Sequence, residues 1–287
     1  MEQLQIDAAA KINWRLAVIG RRADGYHLLM GLMQSISLSD TVYLSCSDVD
    51  SCRITPLLPV EQHNNLAFKA WQLLKRHLRL SQCLEIVIEK RIPAGSGLGG
   101  GSADAAAVLK GANALLDLGL GLDELSALGR SLGADVPFCL LGGLAKAEGV
   151  GDILTPLIAP PPLHILLVNP GFTVPTAQVF NHYRENGKPF ANAIEEEKLC
   201  RQLSQALAHG DVAAINSLLA NALSSSAQQL YPPIRLLEQR MRAVGLNPLL
   251  SGSGGTLFAL LESEIALRQA QRELKDLPWL TGAITIN

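Results

Sequence analysis

The chain has 287 residues, 48% of them hydrophobic and 17% charged, with a formal net charge of −2 at pH 7. This composition excludes a disordered chain, and so small a net charge excludes binding to nucleic acid or an anionic membrane through an overall field. Because the first residues lack a signal peptide and no run of about 18 apolar residues occurs, we expect a cytoplasmic protein without a membrane partner. The length predicts about two domains, and the five cysteines, which lack metal-ligand spacing, are expected to be reduced thiols.

Alternating apolar and polar residues predict strands at the start of the chain. Between Ile6 and Val18 the alternation puts apolar side chains on one face and three polar ones on the other, namely Lys11, Asn13 and Arg15. The turn signal Asp24-Gly25 follows, and further short strands are predicted over residues 36–44. The expected result is a sheet that carries a polar strip.

Helical periodicity begins after Asn65, which can cap a helix with apolar positions at 66, 70, 73, 74 and 78. Alternation over residues 84–88 then predicts a strand that leads into the segment 93–107, PAGSGLGGGSADAAA. A mostly small, apolar helix that opens at Ser102 and ends at residue 116 is expected to be buried.

The glycine-rich segment is the strongest functional signal in the chain. Five glycines fall within seven positions, at 95, 97, 99, 100 and 101. Without a Cβ, each can adopt a positive φ and let backbone amides approach an anion. The N-terminus of the following helix adds free amide donors and a favourable dipole. The pattern indicates a phosphate-binding loop, because a plain turn between a strand and a helix needs fewer glycines.

The residue order of this loop differs from a Walker A motif and matches a dinucleotide-binding motif only in part. A Walker A loop would need a lysine where this chain has Gly101. The dinucleotide fingerprint G-x-G-x-x-G matches Gly95, Gly97 and Gly100, and Asp117 lies 20 residues beyond Gly97. Asp117 falls between two predicted helices, however, whereas the ribose-binding acid should end a second parallel strand. A dinucleotide-dependent oxidoreductase and a catalytically silent phosphate-binding module stay as alternatives.

A second signal is the segment LGADVP, residues 132–137. Gly133 suits a helix C-cap, and Pro137 predicts an extended Val136, so that Asp135 lies on a bend between two elements. An acid in such a place is either functional or an N-cap for the element that follows, and the residues alone leave both readings open.

Beyond the prolines at 160–162 the pattern predicts a small sheet covered by helices. HILLV indicates a buried strand, and helical periodicity covers residues 195–208, 211–223 and 232–244. The remaining predicted elements are a strand, loop and strand over 249–261, a helix over 264–275 and a final strand in GAITIN.

Five segments, in this order along the chain, resemble the GHMP kinase superfamily: AAAKINW (8–14), RADGYH (22–27), PAGSGLGGGSADAAA (93–107), LGADVP (132–137) and SGSGGTLFA (251–259). Their combination is most similar to the kinases of 4-diphosphocytidyl-2-C-methyl-D-erythritol, and the likeness covers nearly the whole chain. The resemblance implies an α+β fold of two domains, residues 1–155 and 156–287. The first would contain a left-handed βαβ crossover and the second a ferredoxin-like fold.

The same resemblance implies an activity and its cofactors. The γ-phosphoryl group of ATP would move, with Mg²⁺ present, to the 2-hydroxyl of this small-molecule acceptor in non-mevalonate isoprenoid biosynthesis. Asp135 would be the general base, and Lys11 the cation beside it. A solvated strand lysine is the alternative role of Lys11, and a GHMP kinase for another small alcohol is the alternative activity.

The other expected site residues are carried over from the family's motifs. The nucleotide would contact Asn65, Leu66, Lys90, Pro93, Gly95, Ser96, Gly97, Leu98, Gly99, Gly100, Gly101 and Ser102. Ser102 is also a candidate Mg²⁺ ligand, with helix capping as its alternative role. The acceptor would contact Asn13, Tyr26, His27, Thr176 and Phe180. The rings of Tyr26 and Phe180 would sandwich the cytosine, and His27 would hydrogen-bond to it.

Two residues depart from the family's pattern. Ala9 replaces the proline usual before A-K-x-N, and Met33 stands where an aromatic ring often closes the acceptor pocket. We expect Ala9 to change local rigidity only. Met33 leaves the shape of that pocket open, although methionine packs adaptably against rings.

Overall fold

The computed structural model describes residues 3–56 and 61–287, which form two compact units. Unit 1 comprises the described residues of Met1–Ala10, Leu38–Ile92 and Gly99–Gly142, and unit 2 comprises Lys11–Ser37, Pro93–Leu98 and Gly143–Asn287. The predicted domain division after residue 155 stays a prediction: unit 1 lies wholly before that residue, and unit 2 takes residues from both sides of it. No helix among the described residues is long and apolar enough to cross a membrane.

Two long strands, β1 (Gln3–Arg21) and β2 (His27–Ser47), contribute residues to both units. They pair with each other and are joined by the predicted Asp24-Gly25 turn, in which the amide of Arg22 donates to the carbonyl of Tyr26 at 2.8 Å. The strand prediction for the start of the chain is therefore confirmed, with longer strands than the pattern indicated.

Unit 1 packs helices against a small sheet. Its further elements are β3 (Ser51–Thr55), α1 (Leu66–Leu78), β4 (Cys83–Glu89), α2 (Gly100–Leu115), α3 (Leu122–Leu132) and α4 (Val136–Leu141). β4 pairs antiparallel with the last third of β2 and parallel with β3, so that β3, α1 and β4 form a βαβ unit. The buried faces of α1 and α2 share one apolar core with these strands, which includes Trp71, Ile86 and Val108.

Local capping explains where α1 begins. The side chain of Asn65 accepts a hydrogen bond from the amide of Ala67 at 2.8 Å, as an N-cap should. Asp50, in the turn before β3, accepts from the side chain of Lys75 at 2.8 Å and from the amide of Leu84 at 3.0 Å. One carboxylate thus ties the turn to both α1 and β4.

The starts of α2 and α4 differ from the prediction. α2 begins at Gly100, two residues before the predicted Ser102, because Gly99 takes the N-cap position with a φ of 75°. Val136 is the first residue of α4 and is not extended. Pro137 sits in the first helical turn, where its missing amide costs no hydrogen bond, so the proline starts this helix instead of preventing it.

Unit 2 contains a four-stranded antiparallel sheet, in the order β11-β7-β10-β9, with helices beside it. Its elements after β2 are β5 (Leu144–Gly149), β6 (Ile153–Pro156), β7 (His164–Asn169), α5 (Thr176–Glu185), α6 (Ala193–His209), α7 (Val212–Leu218), β8 (Ala220–Asn221), α8 (Ser224–Leu230), α9 (Pro232–Ala243), β9 (Leu249–Leu250), β10 (Leu257–Leu261), α10 (Glu264–Glu273) and β11 (Trp279–Ile284). Near its N-terminus, β2 also pairs antiparallel with β5.

The short strand β8 replaces the end of a predicted helix. α7 ends at Leu218, and the residues that follow pair in parallel with β1, with Leu16 opposite Asn221. The amide of Ala222 also donates to the carbonyl of Leu16 at 2.9 Å. These long-range bonds outweigh the local helix propensity of the sequence.

One buried ion pair fixes β1 against α6 within unit 2. Arg15 binds Glu196 through two nitrogens, at 2.7 and 3.0 Å, and donates from a third to the carbonyl of Leu218 at 2.8 Å. Such a forked pair is directional, because both planar groups must face each other. It holds the polar strip of β1 in a defined orientation.

Candidate active site

The predicted phosphate loop has three glycines with positive φ. Gly95, Gly97 and Gly99 have φ values of 59°, 80° and 75°. Gly100 and Gly101 are the first residues of α2 instead, so the expectation of positive φ at all five glycines is wrong for these two. The lack of a side chain lets Gly100 pack closely against Ile92, and at Gly101 it leaves the helix end accessible.

Gly97 shows why the loop requires glycine. A Cβ on this residue would lie 2.2 Å from the carbonyl oxygen of Ser251, closer than any real Cβ contact. The loop backbone at Gly97 therefore lies directly against the backbone of residues 251–255, SGSGG, which we call the second glycine loop.

The N-terminus of α2 offers backbone donors for an anion. The amides of Gly100, Gly101 and Ser102 belong to the first helical turn and have no acceptor inside the helix. Among the described residues outside its own helix, a Cβ on Gly101 would meet only Leu66 Cδ1, at 3.5 Å, so this face of the helix end is open. Unit 1 thus brings the helix end close to Leu66, the residue after the N-cap Asn65.

Lys90 lies in a buried ion cluster that sequence reasoning did not foresee. Its ammonium contacts Asp40 and lies 2.7 Å from Oδ2 of Asp104, the fifth residue of α2. Asp40 also accepts from the amides of Arg91 and Ile92, at 2.6 and 2.9 Å. The cluster therefore ties the strand end before the phosphate loop to the helix after it. Nothing local in the sequence signals this triad, because its members come from three separate elements.

Burial and the neighbouring charges shift the pKa values of Lys90 and Asp104. Burial, opposed by Lys90 and reinforced by Asp40, raises the pKa of Asp104 to about 7. Among the described residues, Oδ1 of Asp104 is buried without a hydrogen-bond partner. For Lys90, the two carboxylates outweigh burial and raise the pKa of the ammonium, so it stays charged.

Asp135 occupies the turn between α3 and α4. It is the N-cap residue of α4, but its side chain makes no capping hydrogen bond there. The hydroxyl of Ser102 lies 3.9 Å from the position of a Cβ on Gly133, the C-cap of α3. Ser102 therefore faces the turn that contains Asp135, and it is not the helix cap that the sequence also allowed.

The polar strip of β1 is ordered inside unit 2. The ammonium of Lys11 donates to Oδ1 of Asn13 at 2.9 Å, and both residues are buried. The amide of Lys11 donates to the carbonyl of Leu98, the last loop residue in this unit, at 2.9 Å. The structure thus brings the predicted lysine and asparagine together with the phosphate loop.

The second glycine loop joins this group. The hydroxyl of Ser251 donates to the carbonyl of Gly97 at 3.1 Å, and the amide of Thr256 donates to the carbonyl of Ser96 at 2.9 Å. The glycines of residues 251–255 are visible in the sequence, but the sequence does not indicate which segment they pack against. The missed information was that two glycine loops, more than 150 residues apart, pack on each other.

Two residues of the second glycine loop lie next to predicted site residues. A Cβ on Gly252 would lie 3.3 Å from the ammonium of Lys11 and 3.5 Å from Oδ1 of Asn13. The hydroxyl of Ser253 shares a hydrogen bond of 2.8 Å with that of Thr176. Thr176 is the first residue of α5, after the N-cap Pro175, so its hydroxyl is not a cap.

The expected aromatic site contains a histidine stack. The ring of His27 lies on that of Phe180, with centroids 5.2 Å apart and planes inclined by 26°, and it meets Tyr183 edge-on at 5.9 Å. Tyr26, the other expected ring, is 65% exposed. The structure therefore brings His27 and Phe180 together and leaves a face of Tyr26 open to solvent.

Burial lowers the pKa of His27, and the nearby guanidinium groups of Arg21 and Arg184 lower it further. The ring is therefore neutral at neutral pH and has one donor and one acceptor nitrogen. A neutral imidazole with both functions can recognise a neutral heterocyclic base.

Comparison with known proteins identifies the family. Residues 65–143 match the family model "GHMP kinases N terminal domain", and residues 203–277 match "GHMP kinases C terminal". A 4-diphosphocytidyl-2-C-methyl-D-erythritol kinase of Geobacter metallireducens is 40% identical over 96% of this chain and 95% of its own. The kinase of the same name from Shouchella clausii is 38% identical over 94% of this chain and 90% of its own.

Comparison with solved structures supports the same family. A crystal structure of 4-(cytidine 5'-diphospho)-2C-methyl-D-erythritol kinase matches with a TM-score of 0.82 and 36% identity, covering 99% of this chain and 100% of that one. A homoserine kinase from Cytophaga hutchinsonii matches with a TM-score of 0.77 but only 20% identity, over 100% of this chain and 95% of that one, and so shares the fold. The predicted α+β GHMP kinase fold is confirmed, and the chain belongs to the 4-diphosphocytidyl-2-C-methyl-D-erythritol kinase family of the GHMP kinases.

Proposed function

We propose that this protein uses ATP to phosphorylate the 2-hydroxyl of 4-diphosphocytidyl-2-C-methyl-D-erythritol, a reaction of non-mevalonate isoprenoid biosynthesis in the cytoplasm. The observation that carries the proposal is the likeness, along nearly the whole chain, to kinases named for this substrate. The groups that such a transfer requires are present in the two units. Its partners are small molecules, and no nucleic acid or membrane takes part.

The nucleotide phosphates bind at the N-terminus of α2 and along the phosphate loop. Phosphoryl transfer depends on positioning and on neutralising charge around a loose transition state. The amides of Gly100, Gly101 and Ser102, which have no acceptor inside the helix, supply donors, and the helix dipole adds favourable potential. Leu66 lies beside the helix end, and it contacts the nucleoside part together with Asn65.

Lys11 and Asp135 act on the acceptor hydroxyl. Asp135 accepts its proton as general base, a role worth ~10²–10⁴ in rate. Lys11 stabilises the developing alkoxide, and its bond to Asn13 aims the ammonium. Asn13 in turn orients the acceptor.

Mg²⁺ fits the residues present. It prefers oxygen ligands and usually takes only one or two from the protein, with the rest from phosphates and water. The hydroxyl of Ser102, at the helix end and facing the turn of Asp135, is such a donor. Bound there with the phosphates, the ion would neutralise charge on the β- and γ-phosphates of ATP.

The cytidine end of the acceptor binds at Tyr26, His27 and Phe180. Phe180 has an aromatic face for stacking, which is worth ~1–3 kcal/mol per base. The neutral His27 supplies hydrogen bonds to the cytosine, and Thr176 contacts the acceptor nearby. Binding energy from this end positions a distant hydroxyl, so an acceptor without the nucleotide should react poorly.

The test is phosphorylation by the purified protein of the diphosphocytidyl compound, methylerythritol, homoserine, mevalonate and galactose at equal concentrations. We expect the diphosphocytidyl compound to react fastest, with Asp135→Asn as the control for contaminating kinases. A preference for homoserine, mevalonate or galactose would refute the proposed substrate.

A further inference from the structure

Asn221, on the short strand β8, makes three hydrogen bonds that fix its side-chain amide. Its Nδ2 donates to the carbonyl of Leu250 at 2.8 Å and to that of Gly252 at 2.7 Å, and its Oδ1 accepts from the amide of Leu223 at 2.9 Å. With two donors and one acceptor engaged, the amide has one orientation that satisfies all three bonds.

The backbone of Asn221 is held just as firmly. It lies opposite Leu16 in the parallel pairing of β8 with β1, five residues along the strand from Lys11. The side chain therefore connects the strand that contains Lys11 to the second glycine loop, all within unit 2.

Gly252 is the residue of the second glycine loop that lies next to Lys11 and Asn13. Its φ is +56°, and a Cβ on it would lie 3.1 Å from the carbonyl of Gly97, 3.3 Å from the Lys11 ammonium and 3.5 Å from Oδ1 of Asn13. The Lys11 ammonium thus lies beside the place where a side chain at residue 252 would be, so a displacement of the Gly252 backbone towards it would leave the ammonium less room. The carbonyl of Gly252 is the group that Asn221 holds.

We propose that Asn221 is a positioning residue for phosphoryl transfer, which acts through Gly252 to hold the Lys11 ammonium in place. The inference rests on the proposed role of Lys11. The side-chain amide of Asn221 is engaged with backbone groups, so its proposed part in the reaction is purely geometric. A misplacement of about 1 Å at a reacting group can cost ~10²-fold in rate, which sets the scale of the effect.

The test compares Asn221→Asp with a matched control. Aspartate has the same shape and keeps the oxygen that accepts from Leu223. It replaces the Nδ2 group, whose two N–H bonds face the carbonyls of Leu250 and Gly252, with an oxygen that cannot donate. Asn247 is the control, because its Nδ2 also donates to a backbone carbonyl, that of Asn216 in α7 at 3.2 Å, and not to a glycine loop. Asn247→Asp therefore reports the cost of the same chemical change without the link to Lys11.

We expect Asn221→Asp to lower kcat ~10–10²-fold with the KM for ATP changed less than ~3-fold. Asn247→Asp should leave both constants near wild type. In a Lys11→Met background, Asn221→Asp should cost less than ~3-fold further, because residues that act as one unit are not additive. A loss no larger than that of the control, or full multiplication with Lys11→Met, would overturn the proposal.

Two further measurements keep the outcome clear. Hydrogen exchange of the amides in residues 250–256 should speed up in Asn221→Asp and not in Asn247→Asp, whatever the acceptor substrate is. If the wild type does not phosphorylate the diphosphocytidyl compound, the proposed function fails, and unchanged exchange would separately refute the role of Asn221. If Asn221→Asp does not fold, Gly252→Ala tests the same contact, and a normal kcat in that variant would refute it.

Discussion

The ammonium of Lys90 lies 2.7 Å from Oδ2 of Asp104, and the two side chains are only 10% and 6% exposed. Asp40, which is fully buried, contacts the same ammonium. A single cation therefore separates two buried carboxylates at the strand end before the phosphate loop. A buried charge without its partner is far more costly than the pair itself is stabilising.

Lys90→Met should consequently destabilise the protein by ~3–5 kcal/mol, the usual cost of breaking a buried ion pair. Urea denaturation measures this change. Lys69→Met, on the exposed face of α1, is the matched control and should stay within ~0.5 kcal/mol of wild type. Equal stabilities of the two variants would show that the cluster is not a structural element.

Asp50 should make the free energy of unfolding depend on pH in the acidic range. Burial would raise its pKa, but hydrogen bonds from Lys75, Trp71, the amide of Leu84 and Gln72 outweigh it and lower the pKa from 3.8 to about 2. The folded state therefore binds this proton less tightly than the unfolded state. The stabilisation is complete above about pH 4 and disappears as the pH falls through about 2.

Asp50→Asn should accordingly lose about 2 kcal/mol at neutral pH, at ~1.4 kcal/mol per pKa unit, and much less near pH 2. Urea curves across this pH range give the difference from wild type. Asp48→Asn, at an exposed position in the same turn, is the matched control for the substitution. A constant difference for Asp50→Asn at all pH values would contradict the assignment.

Gly97→Ala should weaken ATP binding by ~10-fold or more, because its new Cβ would collide with the carbonyl of Ser251 and move the phosphate loop. Gly119→Ala is the control: its φ of +69° is similar, but a Cβ there meets nothing within 4 Å in the described part of the chain. Both variants should lose ~1–2 kcal/mol of stability from the left-handed backbone, and Gly97→Ala should lose more because of the collision. Calorimetric titration with ATP distinguishes them, and equal affinities would place Gly97 outside the phosphate site.

Asp135→Asn should lower kcat by ~10²–10⁴ and leave ATP affinity nearly unchanged, as loss of a general base does. Asparagine has the same shape as aspartate, so we expect the variant to fold, and a thermal melt checks this. Steady-state kinetics with Asp123→Asn, an exposed acid in the first turn of α3, provide the comparison. Near-normal turnover of a folded Asp135→Asn protein would remove this residue from the mechanism.

Phe180→Ala should lower kcat/KM for the diphosphocytidyl acceptor by the equivalent of ~1–3 kcal/mol, through lost stacking on the cytosine. ATP affinity should change little. Phe190→Ala removes a ring that is 52% exposed and serves as the control. If both variants keep wild-type kcat/KM, Phe180 does not bind the base.

Several features of the fold follow from local signals in the sequence. Asn65 caps α1 as its residue type and position predict, and the paired β1 and β2 follow from alternation around Asp24-Gly25. Positive φ at Gly95 and Gly97 was foreseeable from the density of glycine. Each of these depends on neighbours within a few residues, which is the range that local patterns report.

The parts that could not be predicted depend on distant partners. β8 forms because Asn221 meets Leu16, about 200 residues earlier, although local propensity favours helix. The contact of Gly97 with Ser251 and the cluster around Lys90 are likewise long-range. The residues of the candidate site were found by resemblance to a family, and their roles stay proposals.

The interleaved course of the chain through the two units limits how this protein can be divided or recombined. Unit 2 needs Lys11–Ser37 as well as everything after residue 142, so a fragment that ends at residue 155 would leave Arg15 without Glu196 and without the carbonyl of Leu218. A single cut in the chain therefore cannot separate the two units. An exchange of unit 2 with a relative would have to transplant three separate stretches of chain at once, among them the six residues Pro93–Leu98.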